Sequence, residues 1–229
     1  MIKHLACIMD GNRRYAKQQG MMGWIGHRHG VESVKLTIDF CLKNGISYLS
    51  LYSFSLENFN RPEIEKNYLF DLLIEQAHQG LEHFIKHGIA IKFAGDRSLF
   101  PAHVLPACQQ IEEQTAQGTA LYLTFLFCYG ARQELVSSVK HLIADVKNGL
   151  LDENSINESA LRRYSWLGDI PDPELIIRTG KVKRLSNFLL FQAAYSELYF
   201  LDCYWPELTE HHLHEAVTYF KKSQRNFGQ

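Results

Sequence analysis

The side chains best suited to chemistry stand in one short stretch, Met9-Asp10-Gly11-Asn12-Arg13-Arg14-Tyr15, directly after the apolar run Leu5-Ala6-Cys7-Ile8. Asp is an oxygen ligand that Mg²⁺ accepts, the amides at a helix start attract anions, and Arg binds phosphate oxygens through its planar set of donors. This combination indicates a site for a metal-bound diphosphate. The alternative is that Asp10 and Asn12 only cap the helix that follows.

A second group of polar residues, Ser55-Leu56-Glu57-Asn58-Phe59-Asn60-Arg61-Pro62, follows the apolar run 48–54. Pro62 is expected in the first turn of the next helix, with Asn60 as its N-cap. Asn58 is less easily explained as a cap. Arg61 could bind phosphate or could simply be solvated.

A third group, Arg178-Thr179-Gly180-Lys181-Val182-Lys183-Arg184-Leu185-Ser186-Asn187, places four cations in seven residues after another apolar run. A basic loop at a strand end predicts a phosphate site, to which Ser186 adds a hydroxyl donor. The alternative, a solvated run of charge, is weakened because apolar runs flank the loop on both sides. Glu197 follows in an aromatic setting, where burial of a carboxylate requires a cation or a metal.

These groups depend on an alternation of strands and helices. The predicted strands are residues 5–9, 48–54, 89–94, 120–128, 175–178 and 198–200, and the predicted helices are residues 30–44, 63–86, 104–116, 132–147, 155–164 and 210–224. Such alternation predicts an α/β fold, a mainly parallel central sheet flanked by helices. Ligands bind at the carboxyl edge of such a sheet, where all three polar groups fall. The glycine motifs of dinucleotide and nucleotide P-loop sites are absent from the sequence.

Composition narrows the class of protein. The 229 residues are expected to form a single domain spanning 1–229, and the net charge of -1 argues against a nucleic-acid partner. Five cysteines without a C-x-x-C pair fit a reducing cytoplasm. The sequence starts without a signal-peptide pattern and has no apolar run of transmembrane length, so any membrane contact is expected to be peripheral.

Taken together, the three groups carry a family resemblance. The chain resembles the cis-prenyltransferases of the undecaprenyl diphosphate synthase family. The matching segments follow the family order over nearly the whole chain: residues 4–15, 26–27, 52–62, 95–96, 129–130, 178–180, 184–192, 194–200 and 205–206. The resemblance implies a homodimeric α/β enzyme that uses Mg²⁺ and extends an allylic diphosphate with isopentenyl diphosphate in cis geometry. Farnesyl diphosphate would be the primer. The product would be a polyprenyl diphosphate such as undecaprenyl diphosphate, the precursor of a cell-wall carrier lipid.

The same resemblance assigns roles to individual residues. Asp10 would position the metal and the allylic diphosphate, Asn58 would help to take the proton, and Glu197 would be a metal ligand near the dimer interface. The substrate contacts that it implies are Gly11, Asn12, Arg13, Arg14, Tyr15, His27, Ser55, Leu56, Glu57, Phe59 and Arg61, together with Arg178, Arg184, Leu185 and Ser186 for isopentenyl diphosphate.

A growing hydrocarbon product also requires an apolar tunnel. The expected walls are Leu69, Leu72, Leu73, Ala77, Leu81, Phe84 and Ile85 on one side and Leu121, Leu123, Phe125 and Phe127 on the other. The alternative is that most of these residues are ordinary core.

Two departures from the family pattern keep other functions open. Gly23 stands where relatives usually carry an arginine, and Arg28 or Arg13 could compensate. Lys181-Val182 stands where relatives read Gly-Glu, followed by Lys183. The alternatives are altered chemistry (short-chain synthesis, irregular coupling or cyclisation) and a non-catalytic partner subunit. A non-catalytic partner subunit is expected to lose Asp10 and the phosphate-binding turn that follows it, both of which this chain retains.

Overall fold

Six parallel strands form the central sheet of residues 2–223, the part of the chain that the computed structural model describes. They are β1 His4–Ile8, β2 Tyr48–Ser55, β3 Ile89–Ala94, β4 Leu121–Tyr129, β5 Leu175–Arg178 and β6 Glu197–Phe200, in the order β3-β4-β2-β1-β5-β6. All pairings between them are parallel, so the predicted fold class is confirmed.

Helices cover the faces of this sheet. They are α1 Asn12–Gln18, α2 Gly26–Lys43, α3 Glu63–Gln79, α4 Leu81–Lys86, α5 Val104–Thr115, α6 Ala131–Lys147, α7 Glu158–Arg163 and α8 Glu210–Lys222. Short 3₁₀ helices occur at Gly23–Ile25, Leu56–Asn60, Arg97–Leu99, Glu153–Ser155 and Trp205–Glu207. Within the described residues, no helix combines the length and the apolar character needed to cross a membrane.

The largest differences between the predicted and the observed helix boundaries occur at three places. The predicted helix 63–86 is two helices that meet at Gly80, where the Phe84 ring packs so closely that a Cβ would lie 2.6 Å from it. The helix predicted from residue 30 already begins at Gly26, and the one predicted from residue 155 begins at Glu158, after the cap Asn157. The predicted end of the last helix, Gln224, lies outside the described residues.

The sequence of β1 shows why the sheet is buried on both faces. All five of its residues are buried, as are the four of β5, because helices cover both sides of a parallel sheet. Leu5 and Cys7 belong to the larger apolar cluster, and Ala6 and Ile8 belong to the smaller one on the opposite face.

The sheet reverses its order at β1, and this reversal creates the crevice that matters for function. β1 lies between β2 and β5. After β1, the chain first adds β2, β3 and β4 on one side of it and later adds β5 and β6 on the other side. Ile8 pairs in register with Arg178, so the segments that follow β1 and β5 meet at the same edge. In open parallel sheets, ligands bind at such a switch point.

Candidate active site

A polar cleft of about 380 Å³ lies at the carboxyl end of β1. Its lining brings together seven of the site residues expected from the sequence and adds Met9 and Lys17. The lining residues are Met9, Asp10, Gly11, Asn12, Arg13, Arg14, Lys17, His27 and Arg61. Lys17 follows Arg14 by about one helical turn, so the two side chains lie on the same face of α1. This helical spacing was the sequence signal that could have identified Lys17 as a cleft residue.

Asp10 is held from several directions. Its Oδ1 accepts a hydrogen bond from Arg14 Nη2 at 3.0 Å, and its Oδ2 accepts one from Arg178 Nη2 at 2.8 Å. Its backbone carbonyl accepts from Thr179 Oγ1 at 2.7 Å and from the Trp205 amide at 3.0 Å. The carboxylate therefore stands in a fixed position between two guanidinium groups.

The alternative that Asp10 and Asn12 only cap a helix is wrong. The N-cap of α1 is Gly11, and no side chain caps that end. Asn12 Nδ2 donates instead to the Met9 carbonyl at 2.9 Å. Gly11 has a φ of 107°, and a Cβ there would lie 2.6 Å from the Tyr204 ring, so only glycine fits this close turn.

Several polar atoms at or beside the cleft have no hydrogen-bond partner among residues 2–223. Asn12 Oδ1, His27 Nε2 and Arg178 Nε are each enclosed and make no hydrogen bond within this part of the chain. Buried polar groups are nearly always satisfied in folded proteins, and two of these three atoms belong to Asn12 and His27, which line the cleft, so they support a ligand site there. Burial, together with the charges of Arg61 and Arg13, lowers the pKa of His27 to about 3. Its ring is therefore neutral at physiological pH.

Glu65 organises the outer wall of the cleft. Its side chain is only 2% exposed, and its Oε1 lies 3.0 Å from Arg61 Nη1 and 3.6 Å from Arg13 Nε. Burial lowers the pKa of Arg61, whereas Glu65 opposes that effect. One buried carboxylate thus holds two guanidinium groups at the cleft.

Arg13 also accounts for the space beside Gly23. A Cβ at Gly23 would lie 3.4 Å from Arg13 Nε, so the Arg13 side chain runs past this position. Arg28, the other residue considered as a substitute, pairs with Glu75 at 2.9 Å and does not line the cleft. Of the two, Arg13 is therefore the one that stands at the cleft.

The basic loop after β5 divides into a buried part and an exposed part. Arg178 is 5% exposed, and its Nη1 donates to Ser186 Oγ at 2.8 Å and to the Arg184 carbonyl. Arg184 and Lys183 are exposed. The Lys181 ammonium lies 5.0 Å from the centre of the Tyr204 ring, which Arg14 also contacts at 5.3 Å.

Some expected substrate contacts have structural partners instead of lining the polar cleft. Tyr15 packs against the His29 ring at 5.7 Å. The apolar side chains of Leu56, Phe59 and Leu185 pack against the two core clusters. Glu57 Oε1 accepts from Asn187 Nδ2 at 3.0 Å. Their contacts with substrate stay predictions.

The turn between β2 and α3 is capped differently from the expectation. Asn58 Oδ1 accepts a hydrogen bond from the Ser55 amide at 3.2 Å, so Asn58 supports the turn. Asn60 was expected to cap α3, but Pro62 occupies that position without a side-chain cap, so this prediction was wrong. An N-cap directly precedes the first helical residue, Glu63, whereas Asn60 lies three residues before it as the last residue of the 3₁₀ helix Leu56–Asn60.

Glu197 lies away from Asp10 within one chain. It pairs in register with Leu175, whereas Arg178 at the edge of the site pairs with Phe200. Three residues of strand separate these levels by about 10 Å. Among residues 2–223, no group of three His, Cys, Asp or Glu side chains could hold a metal ion. Asp10 is the one carboxylate among the described residues that line the polar cleft.

A second cavity, of about 390 Å³, is mostly apolar and lies between α2, α3 and the sheet. The expected wall residues that line it are Leu69, Leu72, Leu73, Ala77, Phe84, Phe125 and Phe127. Leu81, Ile85, Leu121 and Leu123 do not line it; Ile85 is exposed, and the two strand residues are buried in the larger core cluster. Val31, Val34 and Ile38 of α2 form a wall that the sequence analysis missed, although their helical spacing was a signal.

The two cavities meet. Met9, Asn12 and His27 line both of them, and two of these three side chains carry the unsatisfied polar atoms described above. A single ligand with an anionic head and an apolar tail fits this arrangement.

Comparison with known proteins agrees with that geometry. Residues 8–228 match the model of a protein family described as "Putative undecaprenyl diphosphate synthase". The chain belongs to this family. One relative is the tritrans,polycis-undecaprenyl-diphosphate synthase (geranylgeranyl-diphosphate specific) of Methanopyrus kandleri. It is 42% identical to this chain over 228 residues, and the match covers 99% of this chain and 84% of the relative.

Two further similarities extend this picture. Another relative is the ditrans,polycis-undecaprenyl-diphosphate synthase ((2E,6E)-farnesyl-diphosphate specific) of Xylella fastidiosa. It is 38% identical to this chain over 226 residues, and the match covers 99% of this chain and 89% of the relative. The crystal structure of lavandulyl diphosphate synthase from Lavandula x intermedia, in complex with dimethylallyl diphosphate, superposes with a TM-score of 0.95 at 28% identity. That match covers 100% of this chain and 98% of the other.

Proposed function

We propose that the protein is a prenyl transferase that condenses isopentenyl diphosphate with an allylic diphosphate, such as farnesyl diphosphate, to give a cis-polyprenyl diphosphate such as undecaprenyl diphosphate. The observation that carries this proposal is the junction of the polar cleft with the apolar cavity at Met9, Asn12 and His27. A diphosphate head in the cleft leaves a hydrocarbon chain to enter the cavity. We further propose that the product serves as the precursor of a cell-wall carrier lipid.

The cleft residues would bind and activate the allylic diphosphate. Arg13, Arg14 and Arg61 supply guanidinium donors for its oxygens, and the neutral His27 ring offers its enclosed Nε2. These donors stabilise the negative charge that develops as the diphosphate leaves. The apolar walls beyond Asn12 keep water from the allylic cation.

The chain also suits a bound Mg²⁺, which would neutralise charge on the leaving diphosphate. Mg²⁺ in proteins is often held by one or two carboxylates together with substrate phosphates and water. The Asp10 carboxylate has lone pairs beyond those used by Arg14 and Arg178, so this donor set fits. Glu197 would contribute from a second copy of the chain, because in its own chain it lies about three strand residues from the edge of the site.

The loop after β5 would bind the second substrate. Arg178, Arg184 and Ser186 offer two cations and a hydroxyl for the diphosphate of isopentenyl diphosphate. Because Arg178 pairs with Asp10 at 2.8 Å, the two head groups would lie side by side, which orients the two substrates for bond formation. Asn58 would help to take the proton, in an orientation fixed by the Ser55 amide.

We propose that the enzyme is a homodimer in the cytoplasm, with peripheral membrane contact when the insoluble product is released. One face of α6 supports the dimer, because Val136, Val139 and Ile143 are 56%, 44% and 46% exposed at helical spacing. Val139→Glu is expected to dissociate the dimer in sedimentation velocity. Leu150→Glu, which changes an exposed leucine beyond the end of α6, is the matched control.

Altered chemistry is the second candidate function. It is favoured by the similarity to lavandulyl diphosphate synthase, whose name gives a product other than a polyprenyl chain, and by Lys181-Val182 in the loop. A non-catalytic partner subunit has less support, because Asp10 and its two guanidinium partners are in place.

Product analysis separates these functions. The protein is incubated with Mg²⁺, labelled isopentenyl diphosphate and, separately, farnesyl, geranylgeranyl or dimethylallyl diphosphate, and the products are chromatographed. Elongation predicts a ladder of cis-polyprenyl diphosphates that requires isopentenyl diphosphate. Coupling of dimethylallyl diphosphate alone would instead establish the altered chemistry, and no product from any mixture would favour the partner subunit.

The position of the hydrocarbon tail is tested by filling the cavity. Leu72 lines the cavity, so Leu72→Trp is expected to shorten the product distribution, because the added ring occupies part of the space for the chain. Leu81→Trp changes a leucine on the adjacent helix that does not line the cavity, and it should leave chain length unchanged. Equal product lengths in both variants would place the growing chain elsewhere.

A further inference from the structure

Asn187 connects three segments that meet beside the second substrate site. Its backbone carbonyl accepts from the Ala131 amide at 2.9 Å, and its Oδ1 accepts from the Arg132 amide at 2.9 Å. Its Nδ2 donates to Glu57 Oε1 and to Gln133 Oε1, both at 3.0 Å. The loop after β5, the turn after β2 and the first turn of α6 are therefore joined through one side chain.

The backbone at this point is unusual. Ser186 and Asn187 have φ values of 52° and 63°, so two consecutive non-glycine residues adopt the left-handed conformation. Asn tolerates that region better than most residues, whereas Ser does so less readily. Such a conformation persists only where surrounding contacts determine it, and the hydrogen bonds of Asn187 supply those contacts.

Gly130 gives independent support for this network. A Cβ at Gly130 would lie 2.5 Å from Gln133 Oε1 and 2.7 Å from Asn187 Nδ2. The φ of Gly130 is -159°, an extended conformation that any residue adopts, so the requirement for glycine is steric. The start of α6 is thus shaped to leave room for the Asn187 side chain.

We propose that Asn187 is a positioning residue for the isopentenyl diphosphate site, a role that rests on the proposed function. Asn187 holds Ser186 in the conformation that places its Oγ 2.8 Å from Arg178 Nη1. Through Glu57 it also fixes the distance between this loop and the turn that carries Asn58. None of its hydrogen bonds within residues 2–223 goes to a residue that lines the polar cleft, so the allylic diphosphate should bind independently of it.

The main test is Asn187→Gly, because glycine accepts the left-handed backbone and loses only the side-chain hydrogen bonds. We expect the KM for isopentenyl diphosphate to rise about tenfold, while the KM for the allylic diphosphate changes by less than about twofold. Asn157→Gly is the matched control: Asn157 Oδ1 also caps a helix start, accepting from the Ala160 amide at 2.9 Å, but at α7. It should lower Tm and leave both KM values unchanged.

A charge swap tests the direct link to Glu57. Asn187→Asp places a carboxylate against Glu57, so the KM for isopentenyl diphosphate should rise further than in Asn187→Gly. Adding Glu57→Gln restores a donor and an acceptor to the pair and should bring this KM back towards that of Glu57→Gln alone. Failure of the double variant to recover would overturn the direct link.

Hydrogen exchange separates this inference from the proposed function. In Asn187→Gly the Arg132 amide loses its acceptor, so it should exchange faster while amides in the core of β1 do not. If the wild-type protein forms no product but this exchange result holds, the proposed function fails and the loop connection stands. If the wild-type protein is active and Asn187→Gly leaves the KM for isopentenyl diphosphate unchanged, the positioning role is wrong.

Discussion

The two ends of β1 handle buried polar groups in opposite ways. At the amino end, His4 is buried, its Nδ1 lies 2.6 Å from the Pro171 carbonyl, and its Nε2 lies 2.9 Å from Ser50 Oγ. At the carboxyl end, Asn12 Oδ1 and His27 Nε2 are enclosed and have no hydrogen-bond partner in the part of the chain that the structure describes. Both histidines are neutral because burial lowers their pKa values, to about 4 for His4 and about 3 for His27.

This difference distinguishes a structural polar group from one that awaits a ligand. A buried group with all its partners present contributes to the stability of the fold, whereas a buried group without partners reduces it unless a ligand supplies them. Changes at the amino end of β1 should therefore alter stability and leave activity intact. Changes at the carboxyl end should alter activity, with a loss of stability only where a buried ion pair such as that of Arg178 with Asp10 is broken.

The largest effect is expected from Asp10→Asn. This variant keeps an oxygen near Arg14 and Arg178 but removes the charge that would hold Mg²⁺ and the departing diphosphate. The expected result is a loss of kcat of about 10³-fold or more, comparable to the removal of a major electrostatic contact in an active site. Circular dichroism and thermal melting check the fold. Near-normal turnover in a folded variant would remove Asp10 from the mechanism.

The next effect separates the two cations of the second site. Arg184 has an exposed side chain, so Arg184→Ala should raise only the KM for isopentenyl diphosphate, by the equivalent of about 1.5–3 kcal/mol. Arg178 is buried against Asp10, so Arg178→Ala should also weaken binding of the allylic substrate and lower Tm. Initial rates with each substrate varied in turn measure both. Identical profiles for the two variants would mean that the loop acts as one site for both substrates.

The amino end of β1 predicts a dependence of stability on pH. His4 has a pKa of about 4 in the folded protein and about 6.5 when unfolded, so the unfolded state binds the proton first as pH falls. Stability should therefore be lost between pH 6.5 and 4, amounting to about 2 kcal/mol between pH 7 and 5. Urea unfolding at both pH values measures it. His4→Gln should reduce this dependence without changing either KM; an equal pH dependence in the variant would contradict the assignment.

The smallest effect concerns Gly23. This glycine is not in the left-handed region, so its backbone admits other residues, but Arg13 already occupies the adjacent space. Gly23→Arg in an Arg13→Ala background should tighten the allylic diphosphate by about 1 kcal/mol relative to Arg13→Ala alone. In the wild-type background the gain should be smaller, because the two arginines compete for one space. Binding titrations decide this, and an equal gain in both backgrounds would show that Arg13 is not the substitute.

The fold could be predicted well from the sequence because its strands are mostly apolar runs that end at polar turns. The predicted strand over residues 175–178 matches β5 at both ends. The break between α3 and α4 was missed because the apolar stripe of Leu73, Ala77 and Leu81 continues across Gly80, the residue at which the two helices meet. The α2 wall of the apolar cavity was missed because a helical stripe does not show whether it faces a core or a cavity.

The local groups of site residues could be predicted from the sequence, whereas the contacts between residues distant in the chain could not. The turn of Asp10 and Arg14 is local, so residue types and spacing revealed it. The pairing of Asp10 with Arg178 joins residues 168 positions apart and comes from the register of β1 with β5. Asn187 is harder still to find from the sequence, because its role depends on its four hydrogen bonds to separate segments.

The most direct measurement is a crystal structure of the protein with Mg²⁺ and a non-reactive allylic thiodiphosphate. The account predicts the diphosphate in the polar cleft, within hydrogen-bond distance of Asn12 and His27, and the hydrocarbon chain in the cavity between Val34 and Leu72. A diphosphate bound only at Arg184 and Ser186, with its chain outside that cavity, would contradict it.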